Sequence, residues 1–279
     1  MRGAMLLYKI FGLLALNLTF LFTLCAQAYS SDEIINIASV EYPPIVSMQE
    51  IPGLGYGMCR DVVTEAFKAV SEDVNFTILP MSRNVWSVVH NKGTICLGSM
   101  VWFKRENKDA LVDFVEIINL NFVAYYKKKR FPDGVSYESL KDLRGYSFGN
   151  VRGSGSQPTL ENANLKIDLV RNIRLNFQKL SVDRMDFAVS LRVTGNYLIP
   201  KLFPDNVSEF AYLDKPLLRV ALSVIFLRKQ KRIKQKFIKG LSIIAKNGTY
   251  LRILDKYYGT AGVPEGTIPD FIKSEMENS

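Results

Sequence analysis

From residue 34 onward the spacing of hydrophobic positions switches repeatedly between two periods. Residues 34–40 read as an apolar strand. Val62, Val63, Ala66, Phe67 and Val70 then fall three and four apart, which predicts a helix over 61–70. Val74, Phe76 and Ile78 alternate with Asn75 and Thr77, the mark of a strand. Val85, Trp86, Val88 and Val89 predict a second helix, ended near Gly93, and 94–100 reads as a short apolar strand. This β-α-β-α-β order predicts a parallel sheet covered by helices. The rhythm restarts with a helical turn at 140–145, strands at 146–151, 167–170 and 185–190, and helices from about Pro158, at 173–180 and at 194–201. A strand at 220–227 and helices at 233–246 and 249–258 close the pattern, with Asn247-Gly248 as the C-cap turn between them. The tail after Gly259, rich in glycine and proline, is expected on the surface.

The first residues follow neither period. Arg2 and Lys9 precede an apolar run that ends at Cys25, followed by Ala26-Gln27-Ala28. A positive start, a short apolar core and a small-x-small site predict a cleaved signal peptide over 1–28 and a mature periplasmic chain from Tyr29. Cleavage would leave Cys59 and Cys96, and an oxidising compartment permits either a disulfide or two buried thiols.

Composition adds limits. With 48% hydrophobic residues, the chain can build one or two cores. The formal charge of +9 loses two units with Arg2 and Lys9. Nucleic acid is not the expected partner, since an exported chain without zinc-finger, RNA-binding or arginine-rich signatures does not meet it. The densest basic stretch, 228–239, carries Ile233, Phe237 and Ile238 at helical spacing and reads as an amphipathic helix with a solvated basic face.

The sequence does not point to an enzyme. His90 is the only histidine, which rules out a histidine-based metal cluster, and no nucleophile elbow or cofactor motif is present. Gly53-Leu54-Gly55-Tyr56-Gly57 lacks the spacing of a phosphate loop. Binding residues are more visible. Tyr42 follows a strand's carboxyl end, where ligands bind in open α/β sheets, and Pro43-Pro44 is expected to hold its loop extended. Arg83 and Arg105 stand near helix or strand ends, and a guanidinium grips a carboxylate with two parallel hydrogen bonds. Arg152-Gly153-Ser154-Gly155-Ser156 opens a helix, where free backbone N–H groups favour an anion.

Several segments together carry a family resemblance. Ile35-Asn36-Ile37-Ala38-Ser39 precedes Glu41-Tyr42-Pro43-Pro44, and Leu97-Gly98-Ser99-Met100 precedes Lys104-Arg105-Glu106. Leu140-Lys141-Asp142-Leu143-Arg144-Gly145 leads to Val151-Arg152-Gly153-Ser154; later come Leu180, Arg184-Met185-Asp186 and Asn247-Gly248-Thr249-Tyr250 with Tyr257-Tyr258-Gly259. In order and spacing these resemble the extracellular solute-binding proteins of family 3, the polar amino-acid type that serves ABC transporters. The resemblance implies an α/β, periplasmic-binding-protein-like fold of type II: two lobes, each around a mostly parallel sheet, joined by a two-segment hinge near 122–126 and 220–226. It implies lobe one at 29–124, lobe two at 125–220, a crossing strand and closing helices of lobe one at 221–259, and a tail at 260–279.

The resemblance places Tyr42, Arg83, Ser99, Met100, Trp102, Arg105, Arg152, Gly153 and Ser154 at the ligand, with Tyr42 as an aromatic wall and Arg105 on a carboxylate. It implies a monomer that hands a small molecule to an inner-membrane permease; a sensing partner of a membrane receptor and a dehydratase-like enzyme are the alternatives on this fold. One departure bears on the ligand. The family's amino-acid binders place an acid a few residues beyond the Asp186 position to pair an ammonium, whereas here Phe187-Ala188-Val189-Ser190-Leu191-Arg192 follows. The expected ligand is therefore polar, anionic and without an α-amino group. The competing expectation is a neutral or cationic ligand in an aromatic cleft around Tyr42 and Trp102.

Overall fold

The computed structural model describes residues 34–90, 93–259 and 262–278. The expected signal peptide lies outside these residues. Among them no helix is long and apolar enough to cross a membrane.

In the first half of the chain, β1 (Ile35–Ser39) pairs in parallel with β2 (Val74–Ile78) on one side and β3 (Ile95–Gly98) on the other. Helix α1 (Met58–Lys68) links β1 to β2, and α2 (Met81–His90) links β2 to β3. The i, i+3, i+4 apolar stripe explains α1: Val62, Val63, Ala66 and Phe67 are all buried. A short helix, α3 (Met100–Arg105), follows β3 and is capped by the Ser99 hydroxyl, which accepts from the Val101 N–H.

The second half repeats the plan. Strands β5 (Ser147–Val151), β6 (Lys166–Val170) and β7 (Phe187–Leu191) form a parallel set with β5 in the middle. Helix α4 (Gln157–Asn162) links β5 to β6 and α5 (Ile173–Ser181) links β6 to β7; α6 (Arg192–Leu202) leaves β7.

Two long strands run through both halves. The 16-residue β4 (Val112–Lys127) lies antiparallel to β9 (Leu218–Leu227), with an irregularity between Glu116 and Ile118. The end of β9 pairs with β3, while the end of β4 pairs with β7 and with the three-residue β8 (Phe210–Tyr212). The order is therefore β2-β1-β3-β9-β4-β7-β5-β6, with β8 beside β4. The β3–β9 pairing starts at Ser223 and the β4–β7 pairing at Phe122. Between these points β4 and β9 pair as a two-stranded ribbon through which the two halves connect, with the Asn119 N–H also donating to the Thr267 carbonyl.

The closing helices α7 (Lys231–Lys246) and α8 (Thr249–Tyr258) return to the first half, where Phe237 and Leu241 of α7 share a core with Val63 and Phe67 of α1. The basic run is less free than its composition suggests: Lys234 pairs with Asp113 and Lys236 with Glu72.

One expectation is corrected and one pair of alternatives is decided. The tail is not a surface appendage, because Asp270–Glu277 forms helix α9, with Ile272 fully buried and Glu275 accepting from Ser242 of α7. Its apolar content is too brief to set a period between flanking glycines and prolines. Cys59 and Cys96 are both free and buried. Neighbouring side chains on a strand point to opposite faces. Ile95 and Leu97 join the core that holds Cys59, while Cys96 joins the opposite core with Val88 and Phe103. The sheet separates the two thiols, and burial pushes both well above the ordinary thiol range.

Candidate functional site

The carboxyl ends of the parallel strands from the two halves meet around one cavity of about 800 Å³. The first half lines it with Glu41 and Tyr42 beyond β1, Met81 of α2, and Trp102 and Arg105 of α3. The second half contributes Arg152 and Gly153 after β5, and Arg171 and Asn172 after β6. Parallel register explains why the last two arginines stand together. Val151 and Val170 are partners across β5 and β6, and the Arg152 N–H donates to the Val170 carbonyl at 2.9 Å. Beneath lies a second cavity of about 60 Å³, sharing Tyr42, Met81 and Trp102 with the first.

Three guanidiniums, those of Arg105, Arg152 and Arg171, converge on the larger cavity, and none has a hydrogen bond or ion pair among the described residues. Two acids, Glu41 and Glu106, share the lining; Glu41 is engaged elsewhere, accepting from the Ser47 hydroxyl and the Met48 N–H. The halves approach closely at the loop after β5. A side chain on Gly153, whose φ is +79°, would begin 3.0 Å from the Met81 sulfur and 3.8 Å from Arg105 Nη1. One on Gly155 would begin 3.9 Å from Ser99 Oγ. The first position favours glycine for its left-handed backbone, whereas the second leaves ordinary van der Waals room.

Tyr42 spans both halves and packs against both of their cores. Burial pushes its phenol up to about 12, while hydrogen bonds with the Ser190 side chain and the Leu191 backbone act in the opposite direction. The buried indole N–H of Trp102 has no hydrogen-bond partner.

No family model matches the sequence, and no curated protein sequence matches it. Solved structures do match. A histidine kinase sensor domain with similarity to periplasmic binding proteins aligns with a TM-score of 0.67 and 18% identity, over 81% of this chain and 96% of that one. An ancestral arginine-binding protein bound to arginine aligns at 0.64 and 19%, over 81% and 98%. The arginine-, lysine-, histidine-binding protein ArtJ from Geobacillus stearothermophilus aligns at 0.66 and 16%, over 86% and 99%. This chain has the type II periplasmic-binding-protein fold. The halves described above are its two lobes, and the cavity is the cleft between them.

Within that fold, several residues singled out in the sequence stand elsewhere. Arg83 is exposed and lines an adjoining groove with Trp86, His90 and Lys108, which shares Leu79, Ser82, Val85 and Glu106 with the cleft. Successive helical residues are rotated by about 100°, so Met81, Ser82 and Val85 of α2 line the cleft and Arg83 does not. Met100 packs with the core beneath α2 and α3 and lines neither cavity. Ser99 and Ser154 line only the inner one, and the Ser154 hydroxyl is held by Asn150 and Ser156.

The loop after β5 also differs from the expected nest of free amides. The Gly153 N–H donates to Gln157 Oε1 at 2.6 Å and the Ser154 N–H to the Val151 carbonyl. Its cationic character in the cleft comes from the Arg152 side chain. Pro43-Pro44 forms a cis turn rather than an extended segment, with the Ile45 N–H donating to the Tyr42 carbonyl. Arg192 turns away, its guanidinium 5.0 Å from the centre of the Tyr212 ring.

Asp186 lies outside the cleft. Burial raises its carboxyl, but hydrogen bonds from Ser147 and the charge of Arg130 outweigh that and hold it below the usual range. Arg171 was missed in the sequence. The signal was present, because it follows β6 as Arg152 follows β5, and both sit at strand carboxyl ends.

Proposed function

We propose that this protein is a periplasmic solute-binding protein that captures a small anionic molecule lacking an α-amino group and delivers it to an ABC importer. The observation that carries this reading is the convergence of Arg105, Arg152 and Arg171, none paired among the described residues, on a cavity bounded by both lobes. A carboxylate or similar oxyanion supplies the missing partner, held by charge-assisted, bidentate hydrogen bonds. Tyr42 and Trp102 serve as aromatic walls, Gly153 as the point where lobe two closes on lobe one, and Ser99 and Ser154 as the edge of the floor.

An ammonium has no counter-charge at the end of β7. Leu191 is buried in the wall there, and Ser190 and Leu191 already bond the Tyr42 phenol. On this reading the protein differs from fold neighbours whose described ligand is arginine. Export follows from the leader at 1–28, and closure from flexing of the β4–β9 ribbon. The likeness to a kinase sensor domain supports a second reading, in which the same site reports its ligand to a membrane receptor.

A thermal-shift panel of amino acids, organic acids and polyamines tests the proposal, since a ligand of the folded state raises Tm. Organic acids stabilise the protein if it is right. Stabilisation by cationic amines alone, unchanged in Arg105→Ala, contradicts it.

A further inference from the structure

The inner cavity narrows the ligand class beyond a simple anion. It lies where β1, β3, β4, β9 and β7 come together, and Val40, Ile45, Leu97, Phe122, Val220 and Leu222 line most of it. Most polar groups at its edge are engaged, the indole N–H of Trp102 excepted. The Ser39 hydroxyl donates to the Leu97 carbonyl, Ser154 is held by Asn150 and Ser156, the Tyr42 phenol bonds Ser190 and Leu191, and Ser99 caps α3. A buried water needs two to four polar partners, and apolar cavities without them stay dry. The floor of the cleft is therefore a largely apolar pocket, poor in groups that could hold a water, beneath three arginines that have no partner among the described residues. Trp102 walls both spaces, and the loop that carries Arg152 above carries Gly155 below.

We infer that the ligand is amphipathic: an organic acid whose carboxylate faces Arg105, Arg152 and Arg171 and whose short alkyl or aryl end fills the floor. The inference rests on the anion reading and adds the apolar end. A purely hydrophilic dicarboxylate leaves the floor empty or buries its second charge against hydrocarbon, which is costly. An apolar end of the right size restores the packing contacts that the void lacks.

The test is isothermal titration of the mature protein with propionate, butyrate, pentanoate, hexanoate and phenylacetate, alongside succinate, glutamine and arginine. Filling a cavity of about 60 Å³ at about 24 cal/mol per Å³ predicts roughly a tenfold rise in affinity along the monocarboxylates, or about 1.4 kcal/mol. Val220→Phe fills the floor from within and should flatten that rise, with its melting transition reporting that it is folded. The wild-type series decides the question even if the variant does not fold. Equal affinity for all monocarboxylates, with succinate binding as well or better in an Arg105-dependent manner, overturns the amphipathic ligand and leaves the anion reading standing. Binding of arginine or glutamine that survives Arg105→Ala overturns the anion reading as well, as does failure of every acid to bind.

Discussion

Two arginine environments in this molecule differ in one respect that separates structure from function. On the outside of lobe two, Arg130 pairs with Asp186, whose carboxylate also accepts from the Ser147 N–H and hydroxyl at 2.7 Å each. Every charge there has its partner. In the cleft, Arg105, Arg152 and Arg171 converge without one among the described residues. A satisfied pair holds a strand end in place, whereas convergent unpaired cations mark where an anion belongs. Motif likeness alone does not make this distinction, since Asp186 and Arg105 were both matched to family landmarks.

Breaking the satisfied cluster should give the largest change. Asp186→Ala removes the acceptor of the Ser147 donors and the partner of the exposed Arg130, and should lower stability by about 2–3 kcal/mol in urea unfolding with little effect on ligand affinity. A carboxyl whose pKa is lower folded than unfolded contributes stability that is fully present above its unfolded value of about 4 and is lost as pH falls through its folded value. Asp186→Asn should therefore flatten the acid limb of a stability–pH curve below about pH 4.

Removing a cleft cation should do the reverse. Arg105→Ala is expected to weaken acid binding about ten- to a hundredfold, the worth of a charge-assisted hydrogen bond of about 1.5–3 kcal/mol, while leaving the ligand-free Tm nearly unchanged. Arg105→Lys should also lose affinity, because lysine lacks the planar fork. Gly153→Ala comes next. Its left-handed backbone costs a side chain about 1 kcal/mol, and the new methyl would press on Met81. A modest drop in Tm together with several-fold weaker binding is expected. Arg83→Ala should change neither by more than about 0.5 kcal/mol, and a marked loss of affinity there would blur the contrast between cleft and surface.

Much of the fold was legible because its elements are periodic. The α1 stripe from Val62 to Phe67 and the β2 alternation from Val74 to Ile78 stand where their spacing put them. The full length of β4 was not legible: Asn119 and Asn121 alternate with Ile118, Leu120 and Phe122, but residues 122–126 continue as an unbroken apolar run in which neither period shows. The three residues of β8 are too few to carry a pattern, and α9 is hidden between breakers.

In the site, Leu191 in place of an acid was readable directly. Which arginines face the cleft was not, since Arg83 and Met81 are two residues apart on one helix and point to different sides. The closed loop after β5 was also invisible, because Gln157 turns back onto the Gly153 N–H only in three dimensions.

The central claim is that the unpaired arginines of the cleft hold an acid without an amino group. The most direct measurement is the identity, by mass spectrometry after denaturation, of the small molecule that stays with the protein through purification from a periplasmic extract. The account predicts an organic acid, retained by the wild type and absent from Arg105→Ala. An amino acid or a cationic amine, retained equally by both proteins, would contradict it.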